Sequence, residues 1–463
     1  MQRHCALLLF LWLNACIGSQ PKALVISSEI AANPELLEQA EELVSADPSK
    51  ITQIDLEAAA AHLTKHYWLF NQSYGIVYPG ARSSRDQLYP DGFSAGADSA
   101  LYTGFALAAF SYKSYLAAEY FDTRDVLTGV YWLTHAAGPG VICRAVIPKE
   151  QADRWNYPDS WQGRINSGFV GEGASLPYNV NLYEQTLPES IYYTRATKDQ
   201  LTGLLYGLAT YLVYDNSHPE TVATIGRNLR SYLEKYNWKI RNEKGENDTS
   251  ADVVDGMLKL QLFAIQRRLH RDMLWFSPNI EYEYQQLFRQ SINSIRDSFA
   301  LSNNYSQYYT HNLRITRAYT VWLLEDDSTR KQQLVDYVLT KVWKHTKKHQ
   351  NAWFAAIVFH MTSDEEVGKV CLQALKSQSL KPLRGYGSPY AGQLHKPSWL
   401  DVLQGNDYRW VLPPHLRKHT NYFTWAKEPW DVGSFDKTGS LEETGLDFLL
   451  PFWLYKIANR KPY

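Results

Sequence analysis

Residues 197–215 read TKDQLTGLLYGLATYLVYD, and this stretch decides the fold class. Polar residues open it, and from Leu201 onward apolar or small residues occur on nearly every face of a helix. A helix that is apolar all round is buried inside a protein. Thr197 is a suitable N-cap residue, and Gly203 and Gly207, four residues apart, leave a smooth stripe for close packing. The stretch therefore predicts a buried helix whose polar N-terminal end can carry chemistry.

The composition indicates a folded globular chain. It has 463 residues, of which 45% are hydrophobic and 21% charged, and it carries no signature of disorder. The formal net charge is -1, so no global field favours nucleic acid, and we expect no nucleic-acid partner. Aromatic residues make up 14%, an excess that sugar-binding surfaces use for stacking. A large helical core also buries many aromatic rings, so both interpretations stay open.

The first residues have the organisation of a secretory signal peptide. Arg3 and His4 precede an apolar run at 6–13, and small residues follow. The apolar run is too short to span a membrane as a helix. We therefore expect residues 1–15 to be removed as a signal peptide.

Residues 13–16, Leu-Asn-Ala-Cys, resemble the lipobox of bacterial lipoproteins. The resemblance implies that Cys16 is the lipidated first residue of a mature chain anchored in the bacterial cell envelope. Ile17, in place of Asp after the cysteine, is similar to lipoproteins of the Gram-negative outer membrane. Asn14 is not the usual small residue, so ordinary cleavage without a lipid is the alternative. Residues 16–50 are then a tether with one short acidic helix.

From residue 51 to 463 a helical period recurs, and no run of alternating strands bounded by turns is found. Six predicted helices are amphipathic, at 55–70, 123–137, 219–236, 278–299, 328–347 and 364–377. Six others are apolar on nearly every face, at 98–120, 199–214, 252–269, 311–324, 351–361 and 443–458. The two kinds alternate, as expected for helical hairpins in two concentric rings with the apolar helices inside. The sequence predicts one all-α domain, an (α/α)6 toroid.

This arrangement resembles the six-hairpin glycosidase-like superfamily over about residues 51–463. Its (α/α)6 toroids include many glycoside hydrolases and the helical domains of several polysaccharide lyases. A Thr-Gly pair repeated in YTGFALA, LTGVYWL, LTGLLYG and ETGLDFL adds weak support for internal repetition. Fold resemblance alone does not decide the activity.

The connections between the predicted helices are unequal in length. Three long ones enter the inner helices, at 71–97, 138–198 and 380–442, whereas returns such as 122–124 are short. Long loops in a compact domain are usually functional. Aromatic residues on these loops include Trp161, Tyr193 and Trp425. We expect them to line a cleft and stack on sugar rings; the alternative is that such rings pin irregular loops to the helices.

Polar residues at the starts of the inner helices supply candidate catalytic groups. Glycoside hydrolysis needs two carboxyl groups across the scissile bond, one protonated and one ionised. Asp98 and Asp199 are the first candidate pair, because they open the two most apolar helices beside long loops. Helix capping is the alternative role for both. Further residues at these ends are candidates for substrate binding: Gln200, Asn312, Asn351 and Trp353.

The segment 303–317, NNYSQYYTHNLRITR, favours a different reaction. The Tyr, His, Asn and Arg set used by lyases of this architecture resembles five residues here: Tyr308, Tyr309, His311, Asn312 and Arg314. In those enzymes Asn or Arg neutralises a uronate carboxylate, and Tyr or His moves the proton from C5. The alternative for His311 is an ordinary satisfied polar residue at a helix start. No second histidine lies at a metal-ligand offset from it, and we expect no metal site.

The sequence as a whole favours a monomeric envelope lipoprotein that binds a carbohydrate, with glycoside hydrolysis ahead of elimination on a uronate-containing glycan. Its rival is a catalytically silent lipoprotein that binds glycan or supports an envelope complex. No Walker loop and no GxGxxG motif after a strand is present, so no cofactor is expected. An open acidic cleft would favour the enzyme, and helix ends closed by loops would favour the rival.

Overall fold

The computed structural model describes a defined part of the chain, namely residues 24–26, 28–70, 72–78, 81–82, 92–93, 98–117, 123–154, 170–180, 183–246, 253–297, 308–381, 388–390, 397–398, 401, 406–417, 427–431, 441–442 and 444–460. The signal peptide predicted at 1–15 lies outside these residues, as do Cys16, Trp161 and Trp425.

The described chain is mainly helical, as predicted. Its α-helices are α1 Ser28–Ala31, α2 Pro34–Ser45, α3 Gln53–Phe70, α4 Ser99–Leu116, α5 Arg124–Leu133, α6 Lys149–Arg154, α7 Lys198–Tyr214, α8 Pro219–Lys235, α9 Gly256–Met273, α10 Ile280–Asp297, α11 Tyr309–Leu324, α12 Ser328–Val338, α13 Lys344–Thr346, α14 Ala352–Thr362, α15 Glu365–Ser379 and α16 Leu446–Ala458. A π-helix, Leu339–Trp343, joins α12 to α13. Each of the twelve helices predicted from the pattern corresponds to an observed helix, with ends that differ by a few residues.

Short strands occupy the long connections, and the sequence pattern did not predict them. They are β1 Gln72–Ser73, β2 Ile76–Val77, β3 Ala81–Arg82, β4 Gly92–Phe93, β5 Ala145–Pro148, β6 Val170–Gly173, β7 Leu176–Val180, β8 Tyr183–Leu187, β9 Ser190–Tyr193 and β10 Leu441–Glu442. All pairings are antiparallel, in the orders β1–β2, β10–β3–β4, β5–β9–β6 and β7–β8. Strands of two to five residues such as VGEG and AVIP offer too little alternation to be recognised.

The six helices predicted to be apolar all round are buried, and they contact one another in chain order. In α4 every residue from Ser99 to Tyr112 is buried, and in α7 every residue from Gln200 to Leu212. Helix α4 packs on α7, α7 on α9, α9 on α11, α11 on α14, α14 on α16, and α16 on α4. The amphipathic helices pack on these: α5 on α4, α8 and α10 on α9, α12 on α11, α15 on α14, and α3 on α16.

Helices α4 and α7 meet backbone to backbone through glycines. A Cβ atom on Gly104 would lie 2.0 Å from the Gly203 carbonyl oxygen. A Cβ atom on Gly207 would lie 2.4 Å from the Gly104 carbonyl oxygen. The close packing predicted for Gly203 and Gly207 is therefore confirmed. The other Thr-Gly glycines have different contacts, because Gly129 meets the turn at Gly75 and Gly445 has a φ of +68°.

Aromatic side chains fill the space between α4, α7, α11 and α14. Tyr112, Tyr206, Tyr319 and Trp353 are completely buried, and their rings lie edge to face or tilted toward one another. The hydroxyl groups are satisfied internally, since Tyr112 and Tyr206 hydrogen-bond at 2.8 Å and Tyr319 reaches His360 Nδ1 at 2.7 Å. Buried Tyr hydroxyls with such partners add specificity to an otherwise apolar core.

A buried carboxylate holds the turn between α11 and α12. Glu325, whose side chain exposes 0% of its surface, accepts hydrogen bonds from Arg330 at 2.8 and 3.0 Å and from Tyr284 at 2.7 Å. Arg267 lies 3.4 Å away. Burial alone would raise the pKa of Glu325, but the bonds from Arg330 and Tyr284 outweigh it and lower the pKa. The ionised carboxylate is therefore part of the folded structure.

The segment before α3 packs against the helical domain. The acidic helix expected in the tether is α2, Pro34–Ser45. Leu24 and Leu43 pack on a small cluster of Tyr390, Leu412 and Leu416. The described part of the tether is thus in contact with the loop that follows α15. Within the described residues, no helix is both long enough and apolar enough to cross a membrane.

Candidate active site

The starts of α7 and α9 are defined by their caps. Thr197 and Gln200 form a capping box, in which Gln200 Oε1 accepts from the Thr197 backbone N–H at 2.8 Å. Asp255 caps α9 by accepting from the Leu258 N–H at 3.1 Å. These caps satisfy N–H groups that a helix start leaves without partners. The α7 cap is Thr197, which leaves the carboxylate of Asp199 available for another role.

Asp98 connects the starts of α4 and α7. It occupies the N-cap position of α4 but makes no side-chain cap hydrogen bond. Its Oδ1 instead accepts from Gln200 Nε2 at 2.7 Å and from Arg144 Nη2 at 3.1 Å. The alternative that Asp98 is simply a cap is therefore wrong. Arg144 and Gln200 therefore hold the Asp98 carboxyl group in place between the starts of α4 and α7.

Asp199 has a contrasting environment. Its Oδ1 is buried and has no hydrogen-bond partner among the described residues. Burial raises the pKa of Asp199 above its usual value, the Arg317 guanidinium opposes that shift, and the charge of Asp98 adds to it. The two carboxyl groups predicted as a pair are thus close enough to interact electrostatically, and burial makes Asp199 hold a proton more readily than an exposed aspartate does.

Arg317 joins this group from α11, although the sequence pattern alone does not single it out. Its side chain exposes only 8% of its surface, with Nη1 2.7 Å from Asp255 Oδ2 and Nε 2.9 Å from Thr202 Oγ1. Its Nη2 has no hydrogen-bond partner in the described part of the chain. A buried guanidinium donor without an acceptor is costly and calls for an explanation. The polar end of α7 therefore contains an unused donor and an unused carboxylate oxygen.

Two sequence signals point to the arginines that were missed. Arg317 interrupts the apolar part of α11, and Arg144 interrupts the apolar segment VICRAVIP. Charged residues are almost never buried without a partner. A charge inside a predicted apolar element is therefore a sign of a polar site, although the partner itself cannot be read from the pattern.

The residues proposed from α11 for elimination lie on two sides of that helix. Tyr309 exposes 38% of its surface, and its pKa is raised by burial and by the charge of Asp199. His311 is buried, and burial lowers its pKa to about 3, with Arg314 and His349 adding to the shift. Residues two apart on a helix do not face each other. Tyr309 therefore lies near Asp199, whereas His311 and Arg314 share the other side.

Asn312 is buried on α11, three residues after Tyr309, and its Oδ1 has no partner among the described residues. The spacing of three places it on the same side of the helix as Tyr309. Asn312 therefore shares the side of α11 that carries Tyr309, the residue near Asp199.

Several predicted binding residues are parts of the core. Trp353 exposes 0% of its surface, and its ring is covered by Tyr206 and Phe105. Tyr193 is buried in β9, and Asn351 is the buried N-cap of α14, accepting from the Phe354 N–H at 3.1 Å. A fully covered ring has no face left for a sugar. Trp353, expected to bind substrate, and Tyr193, expected to stack on a sugar, are thus both buried in this structure, and Asn351 serves as a helix cap.

A buried polar chain attaches the loop after α15 to the starts of α11 and α14. His349 Nδ1 lies 3.3 Å from the Tyr308 hydroxyl, and His349 Nε2 lies 3.1 Å from Asp407 Oδ2. Arg417 Nη2 donates to the His349 carbonyl oxygen at 2.5 Å. Trp430 packs edge to face on both Tyr308 and His349. In this part of the third loop, the rings pin the loop to the helices, as the alternative interpretation predicted.

Among the described residues, no group of three or more His, Cys, Asp or Glu side chains is arranged to hold a metal ion. Comparison of the chain with protein-family models, with curated proteins and with solved structures finds no match.

Proposed function

We propose that this chain is an (α/α)6 toroid that hydrolyses a glycosidic bond at the end where α4, α7, α9 and α11 begin. The cyclic order of contacts among the six buried helices supports the toroid. The observation that supports hydrolysis is the pair Asp98 and Asp199, two interacting carboxyl groups in opposite environments. Glycosidases of both stereochemical kinds use such a pair.

In this proposal Asp199 is the general acid. Its carboxyl group loses hydration by burial, and this raises its pKa toward the value that proton donation near neutral pH requires. Asp98 is the second carboxyl group, held in place by Arg144 and Gln200. It acts as the nucleophile or as the base that activates water. Gln200 thus positions Asp98, which refines the substrate-binding role that the sequence suggested for it.

Arg317 and Tyr309 complete the proposed site. The unused Nη2 of Arg317 supplies a donor for a sugar oxygen or for the Asp199 carboxylate that remains after proton transfer. Tyr309, half-exposed beside Asp199, offers a ring and a hydroxyl at the entrance. The substrate class is a neutral or acidic polysaccharide.

The test is sugar release from a polysaccharide panel by wild type, Asp199→Asn and a matched variant, Asp364→Asn. Asp364 caps α15 through the Glu366 N–H, and Asn preserves such caps. We expect Asp199→Asn to lose about 10²- to 10⁴-fold in activity with little change in melting temperature. Asp364→Asn should keep both. Equal activity of wild type and Asp199→Asn would remove Asp199 from the chemistry.

Elimination by a polysaccharide lyase is the second candidate, and the same assay separates it. A lyase leaves an unsaturated sugar that absorbs ultraviolet light, and hydrolysis does not. The half-exposed Tyr309 beside a carboxyl group is the observation that favours it. Tyr309 and His311 lie on different sides of α11, which argues against an elimination site that uses both residues. If no polysaccharide of the panel yields a product although the protein binds glycan, the non-catalytic alternative is favoured.

We also propose that the protein is a monomeric lipoprotein of the bacterial cell envelope, anchored through Cys16 and most simply placed in the outer membrane. The support is the sequence of residues 13–16 and the following Ile17. Metabolic labelling with a palmitate analogue tests the anchor. Label that persists in Cys16→Ala would overturn it.

A further inference from the structure

Asp255, at the start of α9, uses its two carboxylate oxygens for different contacts. Oδ1 accepts from the Leu258 backbone N–H at 3.1 Å and caps the helix. Oδ2 lies 2.7 Å from Nη1 of Arg317, which belongs to α11. A cap needs only one oxygen, and Asn or Ser serves there as well as Asp. The contact with Arg317 therefore requires a reason other than capping.

The guanidinium of Arg317 is fixed by two bonds. Nη1 is bound to Asp255, and Nε donates to Thr202 Oγ1 at 2.9 Å. Because a guanidinium is planar and rigid, these two bonds also fix the position of Nη2. Thr202 follows Asp199 by three residues on α7, and residues with that spacing share a face of a helix. The ion pair with Asp255 therefore determines where this positive charge lies relative to Asp199.

Arg317 and Asp199 interact through their charges, yet each keeps an unused buried atom. Arg317 Nη2 and Asp199 Oδ1 have no hydrogen-bond partner in the described part of the chain. The charge of Arg317 opposes the rise in the pKa of Asp199 that burial causes, but it does not cancel that rise. A bidentate bond between the two side chains would favour the ionised carboxylate much more strongly. The guanidinium is instead bound to Asp255.

We propose that Asp255 is a positioning residue of the candidate active site, which holds the Arg317 guanidinium away from a direct bond with Asp199 and so leaves the Asp199 carboxyl group able to carry a proton. The inference deepens the proposed hydrolysis, and its consequence for catalysis rests on Asp199 as the general acid. In that reaction the proton of Asp199 passes to the leaving oxygen, which keeps the electron pair of the broken C–O bond, and Asp199 becomes a carboxylate. Arg317 Nη2 can then donate to this carboxylate while Nη1 stays bound to Asp255.

Other groups also act on these three side chains. They come from the elements packed around the site, and they are Asp98, Arg144, Lys198, Tyr309, Tyr337 and, beside Asp255, Lys259. Substitution of Asp255 or Arg317 leaves all of them in place. A change in the pKa of Asp199 in such variants therefore reports on the charge of Arg317 and its position.

Carbon-13 NMR titration of the Asp199 carboxyl group in the full chain tests the proposal. The signal is identified by its loss in Asp199→Asn. Asp255→Asn keeps an oxygen for the cap but removes the charge that holds Arg317, so the pKa of Asp199 should fall by about one unit or more. Arg317→Gln removes the opposing charge, so the pKa should rise by about one unit. An unchanged pKa of Asp199 in Asp255→Asn would overturn the proposal, because a purely structural role of Asp255 predicts that result.

The matched control is Asp364→Asn, because Asp364 caps α15 through the Glu366 N–H at 2.9 Å. It should leave the pKa of Asp199 unchanged, and a shift equal to that of Asp255→Asn would contradict the assignment. If Asp255→Asn lowers the melting temperature more than the control does, Asp255→Ser replaces it, since Ser is also a good cap and carries no charge.

The pH dependence of sugar release provides a second measurement. A general acid must be protonated, so activity falls as the pH rises through its pKa. Asp255→Asn should move this fall to lower pH, and Arg317→Gln should move it to higher pH. If the NMR shifts occur but no polysaccharide is cleaved, the hydrolysis is wrong and the role of Asp255 stands. If Asp199→Asn abolishes sugar release but Asp255→Asn leaves the pKa of Asp199 unchanged, the hydrolysis stands and the role of Asp255 is wrong.

Discussion

The glycine contact between α4 and α7 gives the sharpest stability prediction. In Gly104→Ala, the new Cβ atom would lie 2.0 Å from the Gly203 carbonyl oxygen and 2.2 Å from its carbonyl carbon. Non-bonded carbon and oxygen atoms require about 3.3 Å, so the two helices must separate by roughly 1 Å. The obstacle is backbone rather than a flexible side chain, and no rotamer change can relieve it. Overpacking of this kind costs about 3 kcal/mol or more.

Helix propensity partly offsets the destabilisation expected for Gly104→Ala. Alanine is better than glycine in a helix interior by about 1 kcal/mol, which leaves a net destabilisation of about 2 kcal/mol or more for Gly104→Ala. Gly226 in α8 provides the matched control, because a Cβ atom there has its nearest neighbour at 4.0 Å, the Gln266 Cγ atom. Gly226→Ala should therefore stabilise the protein by up to about 1 kcal/mol.

The assay is urea unfolding with calorimetry on wild type and both variants. An unfolding entropy of about 2.1 cal/mol/K per residue gives roughly 1 kcal/mol/K for this chain, so Gly104→Ala should lower the melting temperature by about 2 °C or more. Gly226→Ala should raise it by up to about 1 °C. If both variants are stabilised equally, the helices are not in backbone contact, and the packing described for α4 and α7 is wrong.

Three further predictions concern other parts of the chain. Glu325→Gln should destabilise by about 3 to 5 kcal/mol in urea unfolding, because Arg267 and Arg330 lose their buried carboxylate; a change below about 1 kcal/mol contradicts this. Burial lowers the pKa of His360 to about 4. Between about pH 6.5 and 4 only the unfolded state takes up this proton, so the free energy of unfolding decreases as the pH is lowered through that range. His360→Gln should reduce the dependence of the free energy of unfolding on pH by about 1.4 kcal/mol per pH unit in this range. An unchanged dependence would refute this role of His360. Leu43→Asp should expose residues 24–50 to protease at an unchanged melting temperature, because Leu43 packs this segment on the cluster of Tyr390, Leu412 and Leu416. Equal protease resistance of wild type and variant would show that the segment does not dock there.

The helices were predictable because their signal is local and repeated. A period of 3.6 residues over ten or more positions does not depend on distant contacts, and it located α4, α7 and α14 within a few residues of their observed ends. The glycine stripe of α7 was also readable, since spacing on a helix fixes which residues share a face. The strands in the long loops were not, because two to five residues carry too little pattern.

The two carboxyl groups of the candidate site were predictable, but the side chains that surround them were not. The sequence placed Asp98 and Asp199 at neighbouring helix starts, and these residues do interact. It could not show that Gln200 and Arg144 bind Asp98, since these contacts join residues 102 and 46 positions apart. The burial of Trp353 was not predictable, because a ring at a helix start can point either into the core or into a cleft.

The docked tether restricts how a membrane-anchored molecule would stand. Leu24 rests on Leu412 and Leu416, in the loop that Arg417 attaches to His349 near the starts of α11 and α14. With the proposed lipid on Cys16, the chain takes eight residue-to-residue steps from the anchor to Leu24, and a fully extended chain of that length reaches at most about 29 Å. The loop near the starts of α11 and α14 would then stay within that distance of the bilayer. Such a protein would meet glycans attached to or lying along its own membrane sooner than polymers in free solution.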